Sequence, residues 1–467
     1  MTEREKLLSF EPVIPLFFKF SIPAITGMLV QALYNIVDRY YISNIPEIGS
    51  IAISGVGVTM PFTFLLMGFT MLFAFGGGAN ISLRLGENRK DKADHILGNV
   101  MVMLAIMAVV LNLVFFSDLD FFLRLFGATD SNIGYARSYI WIILIANLWN
   151  TFAFGLNAII RSEGAPRWSM LMMITGAVAN TILDPIFIYE TIPILNIPGL
   201  GMGVAGAAWA TVIAQGLSLI LGIWYYASGK SLLKLSRKNL KLNWSIIKMV
   251  MAIGVSPFFI QIAGSLVAAI FNNSLRHYGG DLAIGAYVII NSISTIFYMP
   301  TFGMNQGSQP IIGFNYGAKN YIRVKRAVLV GIVAASSVTI LGWLLIMLMP
   351  DTLVTPMTPG DLDLRALTVT GIRRMEAMMF LVGFQVIASN FFSSIGKARL
   401  SFFLSLSRQV FFLIPTLLIL PRYMGLDGIW YAMPVSDIGA FLVSLVFLLR
   451  ELRILDREIS LQENQVA

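Results

Sequence analysis

The sequence contains no cysteine and only two histidines. Disulfides, thiol nucleophiles and Cys-based zinc sites are therefore excluded. Neither His95 nor His277 is placed to form a catalytic pair. Charge is scarce too. Asp, Glu, Lys and Arg make up 12% of the chain, about half the share of a soluble domain. A phosphate loop is missing: Gly229-Lys230-Ser231 looks like the end of one, but Trp224 stands where its first glycine belongs and no strand precedes it. The first eleven residues are polar and include acids, so no signal peptide is expected. What fills the chain instead is hydrophobic residues, at 57%.

Apolar runs recur twelve times, near 14–43, 51–80, 94–116, 133–159, 168–190, 200–228, 244–275, 282–312, 324–349, 366–394, 399–421 and 425–450. Each suffices for a helix across about 30 Å of hydrocarbon. They are continuously apolar rather than alternating, which predicts helices and not a barrel. The fold class expected is an all-α membrane protein of twelve transmembrane helices. An even count places both termini on one side. Most of the 33 Lys and Arg gather at the two termini and in the turns near 84–92, 161–167, 229–248, 319–326 and 397–399. That side should be cytoplasmic. The net charge of +8 is thus spread over short loops and does not suggest nucleic acid.

The chain also repeats itself. Pro23 and Asp38 align with Pro257 and Asn272, Ala52-Ile53-Ser54-Gly55 with Ala283-Ile284-Gly285-Ala286, and Leu85-Gly86-Glu87-Asn88 with Tyr316-Gly317-Ala318-Lys319. Ser162 to Arg167 matches Ser394 to Arg399, and Gly203-Val204-Ala205-Gly206 matches Gly425-Leu426-Asp427-Gly428. The offset then drops, leaving about ten extra residues in the loop Glu190 to Gly199. Two pseudo-symmetric six-helix halves follow: 1–228, and 244–467 ending in a short cytoplasmic tail, joined by the basic linker 229–243. Such halves form a recurring transporter architecture with its cavity between them.

Two acids interrupt the apolar runs, Asp184 in Asn180-Thr181-Ile182-Leu183-Asp184-Pro185 and Asp38 in Tyr34-Asn35-Ile36-Val37-Asp38. An ionised side chain at the centre of a spanning helix costs ~3 kcal/mol on insertion scales, so such residues usually face a cavity and handle ions. Asn180 and Asp184, four apart, share a helix face. Asp38 and Asp184 should lie at similar depth, where two carboxylates cannot both ionise cheaply and one is expected to carry a proton. The same oxygens also suit Na⁺. A buried acid satisfied by neighbouring donors is the plainer alternative. Pro185 can kink its helix. Arg408 and Asp437 are expected to form a structural ion pair. Arg373, Arg374 and Glu376 are read as an outer helix end where long side chains snorkel and pair. Glu163, beside Arg161 and Arg167, is a candidate cytoplasmic gate. The glycines of Gly76-Gly77-Gly78 and of 199–206 should permit close helix packing. The 24 Met and 33 Phe are mostly core or lipid-facing, yet they also suit a site for flat, apolar cations.

Together these residues resemble the multidrug and toxic compound extrusion (MATE) family, in its MepA-type and DinF-like branch. The resemblance covers nearly the whole chain and rests on the Asp38 and Asp184 motifs, Leu85-Gly86-Glu87-Asn88, Arg161-Ser162-Glu163-Gly164, Gly317-Ala318-Lys319-Asn320 and Gly203-Val204-Ala205-Gly206-Ala207-Ala208-Trp209-Ala210-Thr211. It implies a V-shaped pair of six-helix lobes exporting organic cations in exchange for H⁺ or Na⁺. It also implies that Asp38, Asn180, Asp184 and Thr211 couple the ion. Tyr34, Tyr139, Asn150, Asn157, Asn272 and Gln306 are candidates for the substrate cavity. The expected partners are small organic cations or drugs, H⁺ or Na⁺ and the bilayer, with no nucleic acid and no cofactor beyond the coupling ion. A monomer in the inner, cytoplasmic membrane is expected. Two alternatives stand beside this. A lipid-linked precursor flippase should show a basic cavity, whereas the deduced charges here are acids; an integral membrane transferase needs a catalytic constellation that the sequence lacks.

Overall fold

The computed structural model describes residues 3–46, 48–192, 197–358 and 361–466. Among the described residues ten helices are long and apolar enough to cross a membrane, or twelve when each of two bent pairs counts as one span. In chain order they are α1 (Val13–Ser43), α2 (Ile51–Gly86), α3 (Lys90–Ser117), α4 (Ile133–Ile145 with Asn147–Ser162), α5 (Pro166–Ile188), α6 (Gly203–Ala227), α7 (Trp244–Gly280), α8 (Leu282–Gly317), α9 (Tyr321–Leu348), α10 (Leu362–Met375 with Met379–Ser394), α11 (Ala398–Met424) and α12 (Leu426–Asn464). No strand occurs among the described residues; Thr191 and Pro198 form one isolated antiparallel bridge. That bridge flanks the extra loop of the first half, whose residues 193–196 lie outside the described residues.

Several helices run past their apolar stretches. The apolar run of the last ends near residue 450, yet the helix continues to Asn464, because its charged turns find partners. Lys397 Nζ donates to Glu451 at 2.5 and 2.7 Å, and Lys325 Nζ to Asp456 Oδ1 at 2.6 Å.

Two helices that read as single runs are broken. The arms of α4 meet at 58° and those of α10 at 42°. Neither break contains proline or glycine. Neighbouring helices supply the cause. At α4, Asn112 of α3 donates to the Leu144 carbonyl at 2.8 Å and accepts from Asn147 Nδ2 at 3.0 Å. At α10, Trp343 Nε1 of α9 donates to the Ala377 carbonyl at 2.9 Å. Carbonyls freed by each bend are thus satisfied inside the bilayer, where an unpaired one is costly.

The internal repeat is visible in the backbone. The only two non-glycine residues with positive φ among those described, Asn88 (58°) and Lys319 (59°), occupy matching positions of the two halves. So do Gly164 (93°) and Gly396 (79°), and Gly203 (56°) and Gly425 (58°). Within that last pair of motifs a Cβ on Gly206 would strike the Phe187 carbonyl, and one on Gly428 the Leu420 carbonyl. Each half uses the same glycine to seat its sixth helix on its fifth.

By packing, the residues divide into two compact units. One comprises Thr26–Ile81 and Arg89–Gln261. Its cores gather Phe62, Phe115, Ile140 and Val212, and Ile42, Ala52, Ile188 and Val204. The other comprises Met1–Ile25, Ser82–Asn88 and Ile262–Ala467, with a core built on Phe271, Ile290, Ile372, Met379 and Trp430. Outward faces remain apolar, as at Leu113 (69% exposed) and Val446 (64%), which is what helices in lipid require.

Candidate functional site

Four helices of the first unit converge on the two acids. Tyr34 and Asp38 are four apart and share one face of α1, as Asn180 and Asp184 do on α5. Tyr139 comes from the first arm of α4 and Thr211 from α6. Depth is matched by a clamp at the helix ends: Asp38 lies five residues before the end of α1 at Ser43, and Asp184 four before the end of α5 at Ile188. Just beyond, Tyr189 OH donates to the Tyr41 carbonyl at 2.8 Å, and the two rings stand edge to face at 6.2 Å. Helix α5 continues through Pro185 to Ile188. The Gly206 contact then draws α6 against α5 and sets Thr211 beside Asn180.

Asp184 is fully buried. Asn180 Nδ2 donates to Asp184 Oδ1 at 3.1 Å and to Thr211 Oγ1 at 3.3 Å. The charge of Asp38 reaches Asp184, and Tyr34 and Tyr139 lie within the field of both acids. Three buried oxygens of this group, Asp38 Oδ1, Asp184 Oδ2 and Asn180 Oδ1, make no hydrogen bond among the described residues. Buried acceptors are rarely left bare. An ionised carboxylate can only accept, so this set lacks a donor or a positive charge. No group of three or more Asp, Glu or His is arranged for a metal ion among the described residues.

The other candidates fall elsewhere. Asn150 is half-buried with its Oδ1 unpartnered. Asn157 is committed: it donates to the Ser169 carbonyl at 2.7 Å and accepts from Ser169 Oγ at 2.9 Å and Arg161 at 3.3 Å. Asn272 is exposed and Gln306 half-buried, both in the second unit. Glu163 is fully buried. It accepts from Tyr225 OH and from Ser231 Oγ at 2.7 Å, so it fastens the start of the linker to α4 and α6.

In the second unit Arg408 Nε donates to Asp437 Oδ1 at 2.7 Å. Arg408 sits in a π-helical stretch, Ser407–Leu413, an irregularity that re-aims side chains. Glu376 corrects the sequence reading. It is 2% exposed, not at a wet helix end, and accepts from Ser294 Oγ and Tyr298 OH, each at 2.6 Å. The break in α10 carries it inward, while Arg374 pairs with Asp427. That break has no local sequence signal, so this buried carboxylate is not legible in the sequence.

The MatE family model matches the chain twice, over residues 23–186 and 257–418. These stretches begin at the two prolines, Pro23 and Pro257, that the repeat aligns. The multidrug export protein MepA of Staphylococcus aureus (strain MSSA476) is 25% identical over 456 residues, covering 96% of this chain and 97% of MepA. Among solved structures, that of the MATE multidrug transporter DinF-BH is 37% identical with a TM-score of 0.85, covering 95% of this chain and 96% of that one. A MATE crystal structure in complex with MaL6 superposes at a TM-score of 0.90 with 23% identity, covering 98% and 100%.

Proposed function

The chain belongs to the MatE family of multi-span membrane transporters, and from that premise we propose that it is a multidrug exporter that trades amphipathic organic cations for H⁺ or Na⁺. The observation that carries this reading is the trio of buried, donorless oxygens on Asp38, Asn180 and Asp184. In one state a proton or Na⁺ occupies them; in the other the positive charge of the cargo offsets the carboxylates. Because two neighbouring carboxylates in a poorly solvated site cannot both stay charged, loading the ion and loading the cation compete, which is the requirement for exchange. Relative motion of the two halves, 1–228 and 244–467, then alternates access.

The printed names of the relatives support the substrate class: MepA is a multidrug export protein, and DinF-BH a multidrug transporter. The acidic set argues against a carrier of pyrophosphate-linked lipid, which needs cations in its cavity. We place the protein in the cytoplasmic membrane as a monomer; its basic turns support both termini lying inside. Expression of Asp184→Asn in a drug-sensitive host tests the reading. Resistance to dye cations should be lost while the amount of protein in the membrane is unchanged; full resistance in that variant would reject the role of Asp184.

A further inference from the structure

A cavity of about 920 Å³ opens between α3, α4, α6 and the linker, all within the first unit. Its deep walls are apolar, formed by Val102, Ala105, Phe152, Leu156 and Leu219. Leu219 lies eight residues before the end of α6 at Ala227, so these walls reach ~12 Å below the linker. The other end is polar, with Tyr226, Ser231, Lys234 and Ser236. Among the described residues no acid lines the cavity. Two acids that bond its lining are already engaged: Glu163 by Tyr225 and Ser231, Asp94 by the Lys234 amide at 2.8 Å.

The linker above it is fixed. Leu233 is buried, Lys230 Nζ sits 4.6 Å from the ring of Trp168 and 4.5 Å from that of Trp224, and Asn99 binds the backbone of Lys241 and Asn243. Residues 229–243 carry Lys230, Lys234, Arg237, Lys238 and Lys241 and no acid. The Tyr226 hydroxyl is buried and makes no hydrogen bond of good geometry among the described residues, while its neighbour Ser231 donates to Glu163. Ile223 and Leu235, on the rim, are about half exposed.

We propose that this cavity binds one anionic glycerophospholipid from the leaflet that the linker faces. An acyl chain lies against Phe152, Leu156 and Leu219, and the phosphate meets Lys234 and the hydroxyls of Tyr226 and Ser236. Charge decides the class of occupant: an organic cation finds no acid here, and a neutral lipid leaves the basic linker unused, whereas a basic segment at the membrane surface attracts anionic headgroups. The depth of apolar wall distinguishes a lipid from free phosphate. The site is separate from the carboxylates and does not depend on the exchange reaction.

Native mass spectrometry of the full-length protein in detergent, titrated with dioleoyl-phosphatidylglycerol, dioleoyl-phosphatidylcholine or inorganic phosphate, tests it. One phosphatidylglycerol should bind at least fivefold more tightly than phosphatidylcholine, and millimolar phosphate should not displace it. Lys234→Gln should lower phosphatidylglycerol binding at least fivefold and leave phosphatidylcholine unchanged. Ser236→Asp, at an exposed position, should do the same and serves if Lys234→Gln is poorly folded; Leu219→Trp should weaken both lipids by filling the cavity. Equal affinity for the two lipids, displacement by phosphate, or unchanged phosphatidylglycerol binding in folded Lys234→Gln and Ser236→Asp would each overturn the proposal.

Discussion

Asp184 commits one oxygen to Asn180 and holds the other bare beside Asp38, and this asymmetry defines what each residue of the site should do. Asp38→Asn and Asp184→Asn each replace a carboxylate with an amide, and under the proposed coupling each should abolish exchange in membranes that retain the protein. Thr211→Ala acts differently. It removes the 3.3 Å partner of Asn180 and leaves both carboxylates in place, so transport should fall severalfold rather than vanish, as dye efflux from cells would show. Arg408 and Asp437 form a pair whose side chains are 24% and 2% exposed. Breaking such a pair from one side costs about 3–5 kcal/mol, whereas replacing both partners with apolar residues is often neutral. Thermal unfolding should therefore show Arg408→Met strongly destabilised and Arg408→Met/Asp437→Leu close to the parent; equal melting of the single variant and the parent would contradict the pairing. The sequence marks Asp184 because it stands alone in apolar surroundings, and Asp38 because only Arg39 accompanies it in an otherwise apolar run. It does not mark Glu376, whose neighbours Arg373 and Arg374 disguise it as a helix end.

Among the elements, the spans are legible and the breaks are not. Hydropathy outlines twelve helices because lipid demands continuous apolar surface and internally bonded backbone. The bends in α4 and α10 arise from Asn112 and Trp343, side chains on other helices, and no local pattern announces a tertiary contact. Asn112→Ala should strip the Leu144 carbonyl of its side-chain donor at a cost of about 1–3 kcal/mol, seen as lower thermal stability with Asp38 and Asp184 untouched. Gly206 makes the opposite case, a local letter with a long reach. Any Cβ there meets the Phe187 carbonyl, so Gly206→Val should separate α6 from α5 by overpacking worth about 1–3 kcal/mol. Because Thr211 rides on α6, gradient-driven transport should suffer more than expression; an unimpaired variant would show that α6 is not what places Thr211.

Across the whole molecule the repeat organises the chain while the chemistry breaks the symmetry. Matching backbone kinks at Asn88 and Lys319 and the two stretches of the family match show one plan used twice. Yet Asp38 has Asn272 as its counterpart, and among the described residues the carboxylates with a bare buried oxygen, Asp38 and Asp184, lie in one unit. The repeat can be read from a handful of short motifs because turns and close helix contacts constrain glycine and proline strongly. Which polar residues gather at one point cannot, since that depends on how helix ends such as Tyr41 and Tyr189 are clamped. The central claim is that Asp38 and Asp184 couple an ion gradient to cation export. Its most direct measurement is accumulation of a fluorescent dye cation by proteoliposomes under an imposed ΔpH alone or ΔNa⁺ alone, comparing the parent protein with Asp184→Asn. The parent should respond to at least one gradient and Asp184→Asn to neither; a response in Asp184→Asn equal to the parent's would contradict the account.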